Sequence, residues 1–230
     1  MAIALPLAGC TTTQHQAQRV QLDSARQRAA LEHTRVTVAN LTVTAASVAE
    51  VSADGKTAIV VTVHNGGRKA VTDLPISVGY ERPGGASVYL NSSANLNYFE
   101  AHLPAIPAGR SLTWIYTADR LLPRGAHPFA RVGTKPAAPA RLTEMDVRIG
   151  LSYGHSAGQK AVTIHLDNPS TVPQYQLQVY AYALRDGRYI AAGNVTVPDL
   201  GAGSKQRVKL ALTGTAADGL HVEAVPTILQ

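Results

Sequence analysis

The chain has 230 residues, a net charge of +6 and a pI near 9.6, which suits one large domain or two of about 100 residues each. Its 45% apolar and 16% charged residues exclude a disordered chain. No apolar run approaches the roughly 20 residues of a membrane-spanning helix, and a single cysteine excludes an intrachain disulfide and a four-cysteine zinc site. The charge is spread as +1 over residues 1–34, +3 over 35–133 and +2 over 134–230. No Lys/Arg cluster emerges that could track phosphates, so nucleic acid is not an expected partner.

In chain order, residues 1–10 end in Leu7-Ala8-Gly9-Cys10, followed by the polar run Thr11-Thr12-Thr13-Gln14. The tetrapeptide resembles the lipobox of bacterial lipoproteins. That resemblance implies cleavage before Cys10, lipid on its thiol, and membrane anchoring on the extracytoplasmic side of the cell envelope, periplasmic or surface. Acyl chains contribute about 0.8 kcal/mol per buried CH₂, so several anchor stably. No Lys or Arg precedes the box and the apolar part is short for a secretory signal, which leaves a start upstream of Met1 open. The competing reading is a buried, chemically silent cysteine near a frayed end. Residues 11–34 read as a tether and helix. Gln14 to His33 is rich in Gln, Ala and Arg and lacks Gly and Pro. Val20, Leu22 and Leu31 are too sparse for a strong apolar face, so the segment reads as a solvated spacer.

From Arg35 the apolar period becomes two. Val36, Val38, Leu41 and Val43 begin it. Ala58 to Val63, Ile76 to Tyr80, Ser87 to Leu90 and Leu112 to Tyr116 continue it, separated by Asp54-Gly55, Asn65-Gly66-Gly67, Pro83-Gly84-Gly85 and Ala108-Gly109. Thr134 to Ala140 is Pro/Ala-rich and reads as a stiff linker over 134–141. The pattern resumes with Met145 to Leu151, Ala161 to Leu166, Tyr175 to Tyr182, Tyr189-Ile190, Val195 to Val197, Arg207 to Leu212 and His221 to Val225. Short strands between such turn signals predict all-β sandwiches over 35–133 and 142–230. No helical pattern alternates with them, which argues against a parallel α/β sheet.

The halves also repeat. A strand ends at Asn65 before Gly66 and another at Asn168 before Pro169. Pro104 to Gly109 precedes the Trp114 strand, and Pro198 to Gly203 precedes the Leu210 strand. Asn after a strand bonds its own backbone and tolerates left-handed geometry, and an Ala-Gly pair supplies a tight turn. Asn65-Gly66-Gly67 with Ile106-Pro107-Ala108-Gly109, and Asn168-Pro169-Ser170 with Leu200-Gly201-Ala202-Gly203, resemble the immunoglobulin-like modules of bacterial surface proteins. The similarity is to the CARDB-like group and, in the second half, to FxLYD-type lipoprotein domains. It implies two tandem immunoglobulin-like β-sandwich domains and says little about activity.

Candidate chemistry is sparse. Gly154-His155-Ser156-Ala157-Gly158 matches G-x-S-x-G literally, but that elbow needs a helix after it. Lys160 to Leu166 is β-patterned, so a hairpin loop is the better reading than a serine nucleophile at Ser156. The eight histidines form no H-E-x-x-H or close pair. No calcium loop and no phosphate cradle appear, and no cofactor is expected. Tyr180 and Tyr182 share one strand parity, as an aromatic face for a sugar or protein or as core. The segment from Asn91 to Phe99 interrupts the strand pattern. Asn91, Asn95, Asn97, Tyr98 and Phe99 make it the candidate partner-binding loop, although the two aromatics would equally plug a sandwich end. The expected function is therefore a lipid-anchored envelope protein that is structural or protein-binding and not an enzyme. A carbohydrate-binding module is the alternative, ahead of a serine hydrolase.

Overall fold

A computed structural model describes residues 39–91, 101–134, 149–154, 158–216 and 219–226. The described residues contain fourteen strands and no helix. The first half supplies β1 (Val43–Ala53), β2 (Lys56–Asn65), β3 (Leu74–Glu81), β4 (Ser87–Tyr89), β5 (His102–Leu103), β6 (Ser111–Ala118) and β7 (His127–Val132). The second supplies β8 (Gly150–Gly154), β9 (Ala161–Asp167), β10 (Gln174–Arg185), β11 (Arg188–Leu200), β12 (Lys205–Ala211), β13 (Thr213–Gly214) and β14 (Leu220–Val225). The tether and helix at 11–34 and the linker at 134–141 fall almost wholly outside the described residues.

All pairings are antiparallel. β1-β2-β6 form one sheet of the first half. In the other, β3 pairs with β7 on one edge and with β4 and then β5 on the opposite edge. The second half pairs β13-β11-β10-β14 in one sheet and β12-β9-β8 in the other. These sheets make the all-β sandwich architecture that the period-two patterning predicts. β9 shows why: Val162, Ile164 and Leu166 are buried while Thr163 and His165 are exposed, the alternation of a strand with one wet face.

β10 has no wet face along its centre. Leu177, Val179, Ala181 and Ala183 enter the core closed by β9 and β12. Tyr180, on the opposite parity, belongs with Ala192 and Val225 to the core that includes Ile59, Val61, Trp114 and Ile115 of the first half. β2 is correspondingly buried on both faces from Thr57 to Val61. The second half thus keeps a core of its own and lends Tyr180, Ala192 and Val225 to that of the first half, and the Lys160–Asp54 ion pair (2.7 Å) and the Thr117–Asn194 hydrogen bond (3.1 Å) also join the halves.

The repeat is built by two buried asparagines. The Asn65 amide nitrogen donates to the carbonyls of Lys69 (2.9 Å), Ile106 (3.0 Å) and Pro107 (3.2 Å), and its oxygen accepts from the Gly67 amide (3.0 Å). Asn168 donates to Val172 (2.9 Å), Leu200 (3.2 Å) and Gly201 (3.1 Å), and accepts from the Ser170 amide (3.2 Å). Each side chain ties its strand end to the distant Ala-Gly turn, where Gly109 and Gly203 take φ of 65° and 63°. Neither asparagine is left-handed, which corrects that part of the sequence expectation. Their amides act across the fold instead. Ile106 lies 41 residues beyond Asn65, but Leu200 lies 32 beyond Asn168, so the first half carries nine more residues between the same two points.

Candidate binding surface

The expected site residues are scattered. Cys10, Asn95, Asn97, Tyr98, Phe99, His155 and Ser156 lie outside the described residues. Asn91 is described, and its role is structural. It is 5% exposed. Its oxygen accepts from the Val78 amide (2.8 Å) and its amide donates to the Ile76 carbonyl (2.7 Å). On the same edge of β3, the Leu90 amide donates to the Val78 carbonyl and the Ile76 amide donates to the Ala101 carbonyl. The Asn91 side chain thus fills the gap in the ladder between β4 and β5, standing in for a peptide unit.

Tyr180 is 1% exposed and is a core residue with no ring face open to a ligand. Its hydroxyl is buried without a hydrogen-bond partner among the described residues. Burial, and secondarily the charge of Glu223 opposite it on β14, push its phenol well above the ordinary tyrosine range. Burial also raises the Glu223 carboxyl above its usual value. Tyr182 is half-buried. It stacks on His221 at 5.1 Å between centroids and meets Tyr189 edge-on at 5.6 Å, so most of its ring already has aromatic partners.

A concave surface lies elsewhere, on the outer face of β12-β9-β8. It is a shallow groove of about 410 Å³, within the size range of small-ligand sites. Register assembles it. Gly150, Asp167 and Lys205 form one cross-strand row and Ser152, His165 and Arg207 the next. Thr163 pairs with Gly154 on one side and Lys209 on the other. Outward positions on β8 are therefore Gly, Ser and Gly, which leaves a trough beside the longer side chains of β9 and β12. Gly150 fits closely, since a Cβ there would come 3.1 Å from the Asp167 Cβ and require a small shift of that side chain. Lys205 pairs with Asp167 at 3.2 Å. Arg207 and Lys209 have no ionic partner among the described residues.

Ser152, His165 and Asp167 share this face, but no hydrogen bond links Ser152 to His165 or His165 to Asp167 among the described residues. β9 is paired on both edges, with β12 and β8, and no oxyanion-type pocket of free donors is assembled on it among the described residues. Nor do three His, Cys, Asp or Glu side chains gather as metal ligands among the described residues. What the surface offers is charge and shape. The sequence signal was Lys205-x-Arg207-x-Lys209. Counting charge by segment hides it, because period two aligns three cations on one face only once the segment is known to be a strand. Comparison with known protein-family models and with curated proteins yielded no match for this chain.

Proposed function

We propose that the chain is a lipid-anchored component of a bacterial cell envelope, held through Cys10, whose β-sandwiches act as a protein-binding scaffold. The observation that supports binding over chemistry is the groove on β12-β9-β8. It is open, floored by a rigid ladder and flanked by Arg207 and Lys209, which have no ionic partner among the described residues. Polar side chains on a rigid sheet suit recognition by complementarity. The shared core between the halves supports a scaffold role, since it gives their outer faces a fixed relation. Mass spectrometry of the N-terminal peptide after expression with a native signal tests the anchor. The expected product begins at a lipidated Cys10, and a free thiol on an uncleaved chain would refute it. A second reading, carbohydrate binding, draws on the Tyr182–His221 stack. Discrete glycan-array hits abolished by Tyr182→Ala would favour it.

A further inference from the structure

The exposed edge of β12 carries information beyond its charge. β12 pairs with β9 and with no other described strand. Its pairing phase is fixed at both ends: the Asn168 amide donates to the Ser204 carbonyl, and the Leu212 amide donates to the Lys160 carbonyl. In an antiparallel ladder hydrogen-bonded and non-bonded pairs alternate. The register has no shift between these ends. Gln206, Val208 and Leu210 therefore spend their amides and carbonyls on β9. Lys205, Arg207 and Lys209 turn theirs to the open edge. The same three residues place their side chains on the outer face. The edge closes at Ala211, whose carbonyl oxygen turns towards β11 and would lie 2.1 Å from a Cβ at Gly193.

We propose, building on the protein-binding reading above, that β12 receives an extended acidic segment of a partner protein as an added antiparallel strand. Residues facing Lys205, Arg207 and Lys209 in the new ladder would sit on the same face and recur about every 6.7 Å. Carboxylates there meet the cations directly across the strand pair, where opposite charges stabilise and like charges oppose. Intervening positions face inward beside half-buried Gln206 and Val208, which favours apolar residues. The segment therefore alternates acidic and apolar residues. Main-chain bonds supply affinity and the cation row supplies choice of partner.

Cationic residues on edge strands also serve to repel other edges, and the test separates the two roles. The probe is a blocked, fluorescently labelled heptapeptide alternating glutamate and valine, titrated into the full chain at low ionic strength. Saturable binding is expected, with Arg207→Glu and Lys209→Glu each weakening it about tenfold. Hydrogen exchange gives the fingerprint. In the free chain the amides of Gln206 and Val208 are protected and those of Arg207 and Lys209 exchange quickly. With peptide bound, Arg207 and Lys209 become protected. A peptide N-methylated at its glutamates, whose amides face β12 in this register, and one of equal composition with its glutamates grouped, should bind at least tenfold more weakly. Equal binding of those controls, saturation without protection of Arg207 and Lys209, or no binding would overturn the proposal. Self-association of the charge-reversed variants without any peptide binding would assign the row to edge repulsion alone. Each of these outcomes leaves the lipid anchor, read by mass spectrometry, standing.

Discussion

Asn91→Ala should be among the most damaging polar substitutions in the chain. The side chain serves the Val78 amide at 2.8 Å and the Ile76 carbonyl at 2.7 Å, and both residues are 0% exposed. Truncation orphans both groups where water has little access. Each orphan costs about 1–3 kcal/mol, so the expected loss is about 4 kcal/mol. For a chain of this length that corresponds to a fall in Tm of about 12 °C. Asn91→Asp separates the two bonds. It still accepts from Val78, but at neutral pH it turns an ionised oxygen towards the Ile76 carbonyl. The unfolded state ionises such a carboxyl more readily than the buried site does, so the variant gains stability as pH falls and the acid becomes a donor. Urea unfolding of the three proteins at pH 7 and pH 4 is the assay. A loss below about 1 kcal/mol for Asn91→Ala would show that the amide is not a ladder element, and an Asp variant indifferent to pH would refute the donor argument.

Tyr180→Phe removes a buried hydroxyl without a partner and should be neutral or stabilising by up to about 1 kcal/mol in urea unfolding. Glu223 has its carboxyl raised by burial, so the folded state holds the proton more tightly than the unfolded state. Stability should fall as pH rises from the ordinary glutamate range through the raised value, and Glu223→Gln should be more stable than the parent at pH 7, with the difference vanishing below about pH 4. Gly193→Ala drives a methyl to 2.1 Å from the Ala211 carbonyl oxygen and should cost about 3 kcal/mol by thermal or urea unfolding. Gly154→Ala, with nothing within 4 Å of the added carbon, should stay within about 0.5 kcal/mol of the parent.

Where one face of a strand is wet, its sequence announces it. β9 and β12 were legible because Val162, Ile164, Leu166 and Leu210 alternate with polar residues. β11 was legible only at its ends. Tyr189-Ile190 and Val195 to Val197 stand out, but the strand runs unbroken through Ala191, Ala192, Gly193 and Asn194. Those residues are weak strand formers, held in place by pairing with β10 on one side and β13 on the other. β7 was missed because Pro128 sits inside it, a residue tolerated at such a position only where its missing amide is not needed. Leu41, counted into the first strand pattern, is 92% exposed. The groove on β12-β9-β8 was illegible for a different reason. Its rows join β8, β9 and β12 across the sheet, and cross-strand register is not written in local composition.

The double burial of β2 bears on how the chain is made. A ribosome or secretion channel delivers the first half before β10, β11 and β14 exist, and domains form in that order during synthesis. At that stage β1-β2-β6 would have one apolar face covered by its own sandwich partner and the other awaiting Tyr180, Ala192 and Val225. The nascent chain would thus present an adhesive sheet for as long as it takes to make about a hundred further residues, some 5–20 s at ordinary synthesis rates. Until the second half arrives, that sheet is open to adventitious pairing, and the folding of Tyr180, Ala192 and Val225 onto it is what ends the exposure.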